Sequence, residues 1–173
     1  LPLMLSGVIS ALGTRIDRLF IADILGMEQI GVYAALANML MGVMGLVFMI
    51  VAMPLYPELA KCADNSELLF EKHRSYLNLL LAITLPALVS ICMVAESLVS
   101  VFLTVQYLDD GVELFWLLAV SAYVLNFKGH YIDHGLQFVL KTKVMPWLSI
   151  FMIGLNVALL VIFLREFGVY AAA

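Results

Sequence analysis

Residues 30–54 read IGVYAALANMLMGVMGLVFMIVAMP. The run contains no charged side chain and is longer than the roughly 20 residues a helix needs to cross a bilayer. It therefore predicts a membrane-spanning helix, and the rest of the chain follows the same pattern. Of the 173 residues, 64% are hydrophobic and 13% charged, against about 45–50% and about 25% in a soluble domain. Mean hydropathy is +1.06. A soluble core of this length cannot absorb that excess, so the expected fold is all-α, a polytopic transmembrane helix bundle.

Working outward from residues 30–54, we expect five spans and the start of a sixth. The first covers Pro2–Leu25. The second is Ile30–Pro54, ended or kinked by Pro54 and Pro57, which lack an N–H to donate. A charged amphipathic stretch, Ser66–Tyr76, is expected at the membrane surface. The third span is Leu77–Val99, interrupted by Pro86. The fourth is Gly111–Leu140 and the fifth Val144–Leu164, and Gly168 opens the sixth.

The connections carry the orientation. Lys61, Lys72 and Arg74 follow the second span, and Lys141 and Lys143 follow the fourth. The other connections, GMEQ, VQYLDDG and REFG, hold only Arg165. Basic residues mark the cytoplasmic side, so the N-terminus of the segment is expected inside. Trp116 and Trp147, near span ends, fit interfacial anchors. The net charge of −4 and the lack of a dense basic patch argue against a nucleic-acid partner. Cys62 and Cys92 form neither a disulfide framework nor a CxxC motif. The chain starts at Leu1 and ends in GVYAAA, and we read it as a piece of a longer protein.

Polar groups inside spans are costly in lipid and usually face a bundle interior or a wet cavity. In the first span Ser6, Ser10, Gly13, Thr14 and Asp17 share one helical face at about 100° per residue. Arg18 lies at its edge and Arg15 points elsewhere. The face is a cavity wall or a helix–helix seam with an internal ion pair, or else Arg15 and Arg18 snorkel to the outer headgroups. In the second span Gly31, Ala35, Asn38, Gly42 and Gly45 form a small-residue stripe expected to pack closely against another helix. In the fourth span Asn126, His130, Asp133 and Gln137 fall within roughly 60° on a helical wheel, with His134 beside them and Lys128 on a different face. This stripe is either the wall of a hydrated lumen or a helix end emerging at the cytoplasmic interface. His130 and His134 have the i, i+4 spacing of zinc ligands but lack HEXXH and accompanying cysteines, so no metal site is expected. No phosphate-binding glycine loop or nucleophile elbow is present, and neither an enzyme activity nor a cofactor is expected.

Two stretches resemble a known family. The opening SGVISALGTRIDRLFIADILGMEQIGVYAALANML is similar to a segment of bacterial polysaccharide, or O-antigen, flippases: Asp17-Arg18, Leu25-Gly26, then Gly31-x-Tyr33 opening the next helix. The closing KTKVMPWLSIFMIGLNVALLVIFLREFGVYAAA resembles a second family segment through Lys141-Thr142-Lys143, Asn156 and Gly168-x-x-Ala171-Ala172, with Ala171 where the family often has Gly. The family belongs to the multidrug/oligosaccharidyl-lipid/polysaccharide exporter superfamily, whose members have about twelve to fourteen helices in two lobes. The resemblance implies that residues 1–173 are a partial lobe, the C-terminal one without its last helix, of a transporter in the bacterial inner membrane. It implies translocation of undecaprenyl-pyrophosphate-linked oligosaccharide to the periplasmic leaflet for surface polysaccharide synthesis. Partners so implied are the bilayer, the lipid-linked substrate and the missing lobe, with a coupling ion as a further candidate. The cavity candidates are Arg18, Asp17, Arg15, Asn126, Lys128, His130, Asp133 and Gln137. Alternatives are a drug or small-molecule exporter of the same superfamily, a membrane enzyme acting on lipid-linked sugars, and a non-transporting scaffold.

Overall fold

A computed structural model describes residues 2–62, 65–102, 108–138 and 145–172, and all of its regular structure is helical. The Lys141-Thr142-Lys143 connection and the side chains of Ser6, Ser10 and Thr14 lie outside the described residues. The apolar run of the second span lies in α2 (Met27–Lys61). α1 (Pro2–Ile24) precedes it, and the two meet in a two-residue turn. There Gly26 takes φ 92°, a left-handed conformation that glycine adopts without a Cβ penalty. The amides of Leu25 and Gly26 both donate to the Ile21 carbonyl, at 2.8 and 3.2 Å, closing the end of α1.

Pro54 and Pro57 do not end the second helix; α2 continues through both to Lys61. Each proline removes one ladder donor, but membrane helices tolerate this where neighbouring groups re-satisfy the backbone. The expected surface segment and third span are likewise one helix, α3 (Ser66–Met93), which runs through Pro86. Asn65 starts it by accepting the Leu68 amide at 3.1 Å, a side-chain N-cap. The third span stops at Met93 rather than Val99. Val94 breaks it, and Ala95–Phe102 forms a separate short helix, α4. The Trp116 indole N–H donates to the Cys92 carbonyl at 3.2 Å, which also accepts the Val94 amide, in the last turn of α3 where carbonyls lack the regular intrahelical partner.

The expected fourth span is also composite. α5 (Leu108–Phe127) passes into a π-helical turn at Lys128–Asp133 and then into α6 (His134–Phe138). α7 (Met145–Phe167) follows, and Gly168–Ala172 is a 3-10 turn with Gly168 at φ 58°. Among the described residues four stretches are long and apolar enough to cross a membrane: Met27–Lys61, Ser66–Met93, Gly111–Phe138 and Pro146–Ala172. α1 is long enough but concentrates Arg15, Asp17, Arg18 and Asp23 in its second half.

α2 is the central helix. It packs on α1, α3, α4 and α5, while α7 packs on α1. Its buried face is Tyr33, Leu36, Leu40, Met44, Phe48, Val51 and Leu59, at the three- and four-residue spacing of one helical face. One core joins Tyr33, Leu36, Leu40 and Met44 of this face to Ile21, Phe115, Leu118, Ala119, Leu160 and Leu164. A second joins Phe48, Val51 and Leu59 to Tyr76, Leu80 and Phe138. Most of the small-residue stripe is not a packing seam between described helices; Gly45, at its end, lies against Asn126 of α5. Gly31, Ala35 and Gly42 are exposed, and a Cβ added at Gly31 or Gly42 would meet nothing within 4 Å. Large apolar side chains occupy the opposite face of α2, and burying them removes more area from contact with solvent than burying glycine. The close approach lies elsewhere, at Gly13, where an added Cβ would come within 2.5 Å of Ile153 in α7.

This packing predicts a contrast within α2. Phe48, fully buried against Tyr123 and His130, replaced by Ala should lose about 3–5 kcal/mol. Leu46→Ala, at a side chain 63% exposed, should change stability by no more than about 0.5 kcal/mol. Thermal unfolding of both variants in detergent checks this.

Candidate functional site

A cavity of about 590 Å³ opens between α1, α2, α5 and α7. Most of its wall is apolar, with Ala37, Met41, Leu118 and Met152 among the lining residues. Against that wall stand four charged side chains, Asp17, Arg18, Lys128 and Asp133, together with Tyr33, Ser149 and Asn156.

The α1 pair is held by polar partners on α2. The Tyr33 hydroxyl donates to the Asp17 carboxylate and lies 3.1 Å from the Ala172 carbonyl. The Asp17 carboxylate also accepts the Arg18 amide at 2.9 Å. The Arg18 guanidinium donates to Asn38 Oδ1 at 2.6 Å, while its Nε is buried with no hydrogen-bond partner among the described residues. Asp17 and Arg18 therefore do not neutralise each other within an ion-paired seam; each keeps polar capacity at the cavity. Gly13, one turn before Asp17, brings α1 close to Ile153 and also lines the cavity.

The α5 pair depends on the π-turn. Lys128 Nζ lies 2.9 and 3.1 Å from the two Asp133 carboxylate oxygens, and each side chain is about a quarter exposed. This is the one salt bridge among the described residues. On a regular α-helix Lys128 and Asp133 face different ways, as the helical wheel predicts. In a π-turn the backbone bonds run i to i+5, fewer degrees are turned per residue, and side chains five apart come together.

The same change divides the predicted polar stripe. Asp133 faces the cavity with Lys128, whereas Asn126, His130 and Gln137 face α2. The expectation that all four share one face is therefore corrected. Asn126 donates to the Ala122 carbonyl at 2.9 Å, and its Oδ1 sits 3.4 Å from where a Gly45 Cβ would be. The His130 ring stacks on Phe48 at 5.9 Å, and the Tyr56 hydroxyl lies 3.3 Å from Gln137 Oε1. Arg15 is exposed and is not among the cavity-lining residues.

Around His130 the structure assembles an aromatic cluster holding all three histidines of the chain. His73 stacks on Tyr131 at 4.2 Å, and His134 meets Tyr56 at 4.9 Å and His130 at 5.7 Å. The Tyr76 hydroxyl donates to the His130 carbonyl at 2.9 Å, inside the π-turn. Sequence reasoning passes over Tyr33, Tyr56, Tyr76 and Ser149 as site residues. Tyr33 carries a signal, being a phenol one helical turn before Ala37 on a span with few other polar groups; the others depend on tertiary contacts alone.

A family model described as polysaccharide biosynthesis protein matches residues 1–110. That stretch includes α1 to α4 and with them Asp17, Arg18, Tyr33 and Asn38. No curated protein and no solved structure matches the chain. The match connects this multi-pass helical membrane protein with polysaccharide synthesis or export, and the chain belongs to the polysaccharide biosynthesis protein family.

Proposed function

We propose that the chain forms part of a flippase that carries undecaprenyl-pyrophosphate-linked oligosaccharide across the bacterial inner membrane. The observation that carries this reading is the cavity between α1, α2, α5 and α7, where Arg18 and Lys128 stand on a largely apolar wall in a protein of this family. A glycolipid head group is too polar to cross hydrocarbon unaided, since each unpaired polar group costs several kcal/mol there. A cavity with hydrogen-bonding groups offers it replacement partners, and its apolar lining suits the lipid carrier.

The assignment of roles follows charge. The pyrophosphate is anionic, and guanidinium and ammonium groups bind phosphate through charge-assisted hydrogen bonds. Arg18 has a buried Nε without a partner and is the first candidate; Lys128, whose ammonium Asp133 occupies, is the second. Arg15 is exposed and has no part in this reading. Asp17, clasped by Tyr33, is a candidate for a coupling ion, as are His130 and Asp133. In this reading the chain works by binding and conformational change rather than covalent chemistry. In this reading the basic connections face the cytoplasm, with the N-terminus on the same side, and a second lobe completes the path, rocking about a midplane site.

The test uses a strain deleted for its own oligosaccharide flippase. The full-length gene should restore surface polysaccharide. Arg18→Ala, expressed to the same level in the membrane, should reduce it by about tenfold or more, as expected for loss of a charge-assisted bond. Undiminished polysaccharide with Arg18→Ala removes that residue from the pathway, and efflux-linked drug resistance without a glycan effect replaces the reading with a drug exporter. Tyr33→Phe deletes the hydroxyl shared by Asp17 and the Ala172 carbonyl. It should lower stability by about 1–3 kcal/mol, measured by thermal unfolding in detergent.

A further inference from the structure

The π-turn at Lys128–Asp133 sits between two parts of the molecule. On one side its only charged groups face the cavity as a salt bridge. On the other side His130 and Tyr131 are packed into the aromatic cluster. π-turns within α-helices are rare and concentrate at functional sites. Here a salt bridge spans the turn from its first residue to its last. The bridge spans five residues, the spacing a π-turn brings together and an α-helix separates.

Nothing else at the cavity neutralises Lys128 among the described residues. In a site this apolar an ammonium keeps a counter-ion, because an unpaired charge is costly away from water. A phosphate-bearing head group in the same cavity offers Lys128 a second anion. While Lys128 is shared out to that anion, Asp133 loses its partner and faces a like charge. Both effects remove the restraint on the turn.

We propose that Asp133 is a built-in competitor for the phosphate group, and that its bridge to Lys128 is a latch that an incoming phosphate anion releases. This deepens the flippase reading and rests on it for the identity of the anion. Release lets Lys128–Asp133 relax toward α-helix, which turns α6 about its axis. α6 is placed to transmit that turn. A Cβ at Gly135 would lie 3.1 Å from His73 Nε2, and His134 packs on Tyr56. The movement thus passes from the cavity to α2 and α3 through ring contacts. Asp133 is accordingly a positioning residue and a determinant of anion affinity.

The experiment uses the full-length protein with Cys62 and Cys92 replaced by Ser, in nanodiscs of phosphatidylcholine. Spin labels go on Met53→Cys and Ile132→Cys, both exposed and outside the cavity lining. The label-to-label distance distribution is measured with and without inorganic pyrophosphate, whose Kd is measured separately by calorimetry. Wild type should shift its distribution on adding pyrophosphate. Asp133→Asn should show the shifted distribution without pyrophosphate and bind it about tenfold more tightly, the order of one charge-assisted bond. Lys128→Gln should also show the shifted distribution but bind pyrophosphate more weakly. The exchanged pair Lys128→Asp with Asp133→Lys re-forms the bridge and should return the unshifted distribution, which separates latch loss from misfolding.

An unshifted distribution in folded Asp133→Asn overturns the latch whatever pyrophosphate does. Unchanged or weaker pyrophosphate binding by Asp133→Asn overturns the competitor role. A shift produced by phosphatidylglycerol nanodiscs alone overturns release by substrate, because the latch would then stand open in the protein's own membrane. Should pyrophosphate leave wild type unmoved, release also falls. If that wild-type gene still restores surface polysaccharide, the flippase reading survives without the latch; if it does not, both fall.

Discussion

A charge carried into hydrocarbon must be given a partner by the protein, and this bundle is arranged around that demand. Water is absent from the bilayer core, so an ionised side chain or open backbone group is satisfied internally or not at all. Arg18 reaches Asn38, Asp17 is clasped by Tyr33, and Lys128 is matched to Asp133. Each of these contacts brings its charge to the inner side of α1 or the α5 path, next to α2. Asp17, Arg18, Lys128 and Asp133 thereby gather at one cavity rather than facing lipid singly. Trp116 meets the same demand at the end of α3 by donating to the Cys92 carbonyl.

The π-turn divides the molecule into two working faces. A regular helix through residues 126–137 would place its polar groups in one row. The wider turn sends Asp133 to the cavity with Lys128 and leaves His130 among the rings of Phe48 and His134. The Tyr76 hydroxyl supports the widened backbone by donating to the His130 carbonyl. One face is thus charged and open, the other aromatic and closely packed. A change at the first can reach the second because both are built on the same six residues.

The chemistry of the cavity fits membership of a polysaccharide biosynthesis family. Its two cations are held in different ways. Arg18 is steadied by a neutral amide and so keeps its full charge at the wall. Lys128 is masked by a carboxylate. For the proposed glycolipid substrate this difference separates an anion-binding group from one whose exposure depends on conformation. The apolar remainder of the wall matters equally, since low local polarity strengthens each polar contact made within it.

Much of the architecture was legible in the sequence. Long uncharged runs such as residues 30–54 are compatible only with membrane helices, because burial of so many apolar groups needs lipid as well as protein. The resemblance carried by Asp17-Arg18, Leu25-Gly26 and Tyr33 pointed to the family that the match over residues 1–110 shows. Helix ends were less legible. Prolines at 54, 57 and 86 stay within helices, although the local rule that a proline removes a ladder donor reads them as helix ends. Tertiary structure alone decided that most of the small-residue stripe of α2 is exposed, since the large apolar face of the same helix takes the core. It alone decided that Lys128 and Asp133 meet, because a wheel drawn at a constant 100° per residue contains no π-turn. The composition of a helix determines that it enters the membrane; which of its polar groups share a cavity depends on backbone twist and on partners supplied by other helices.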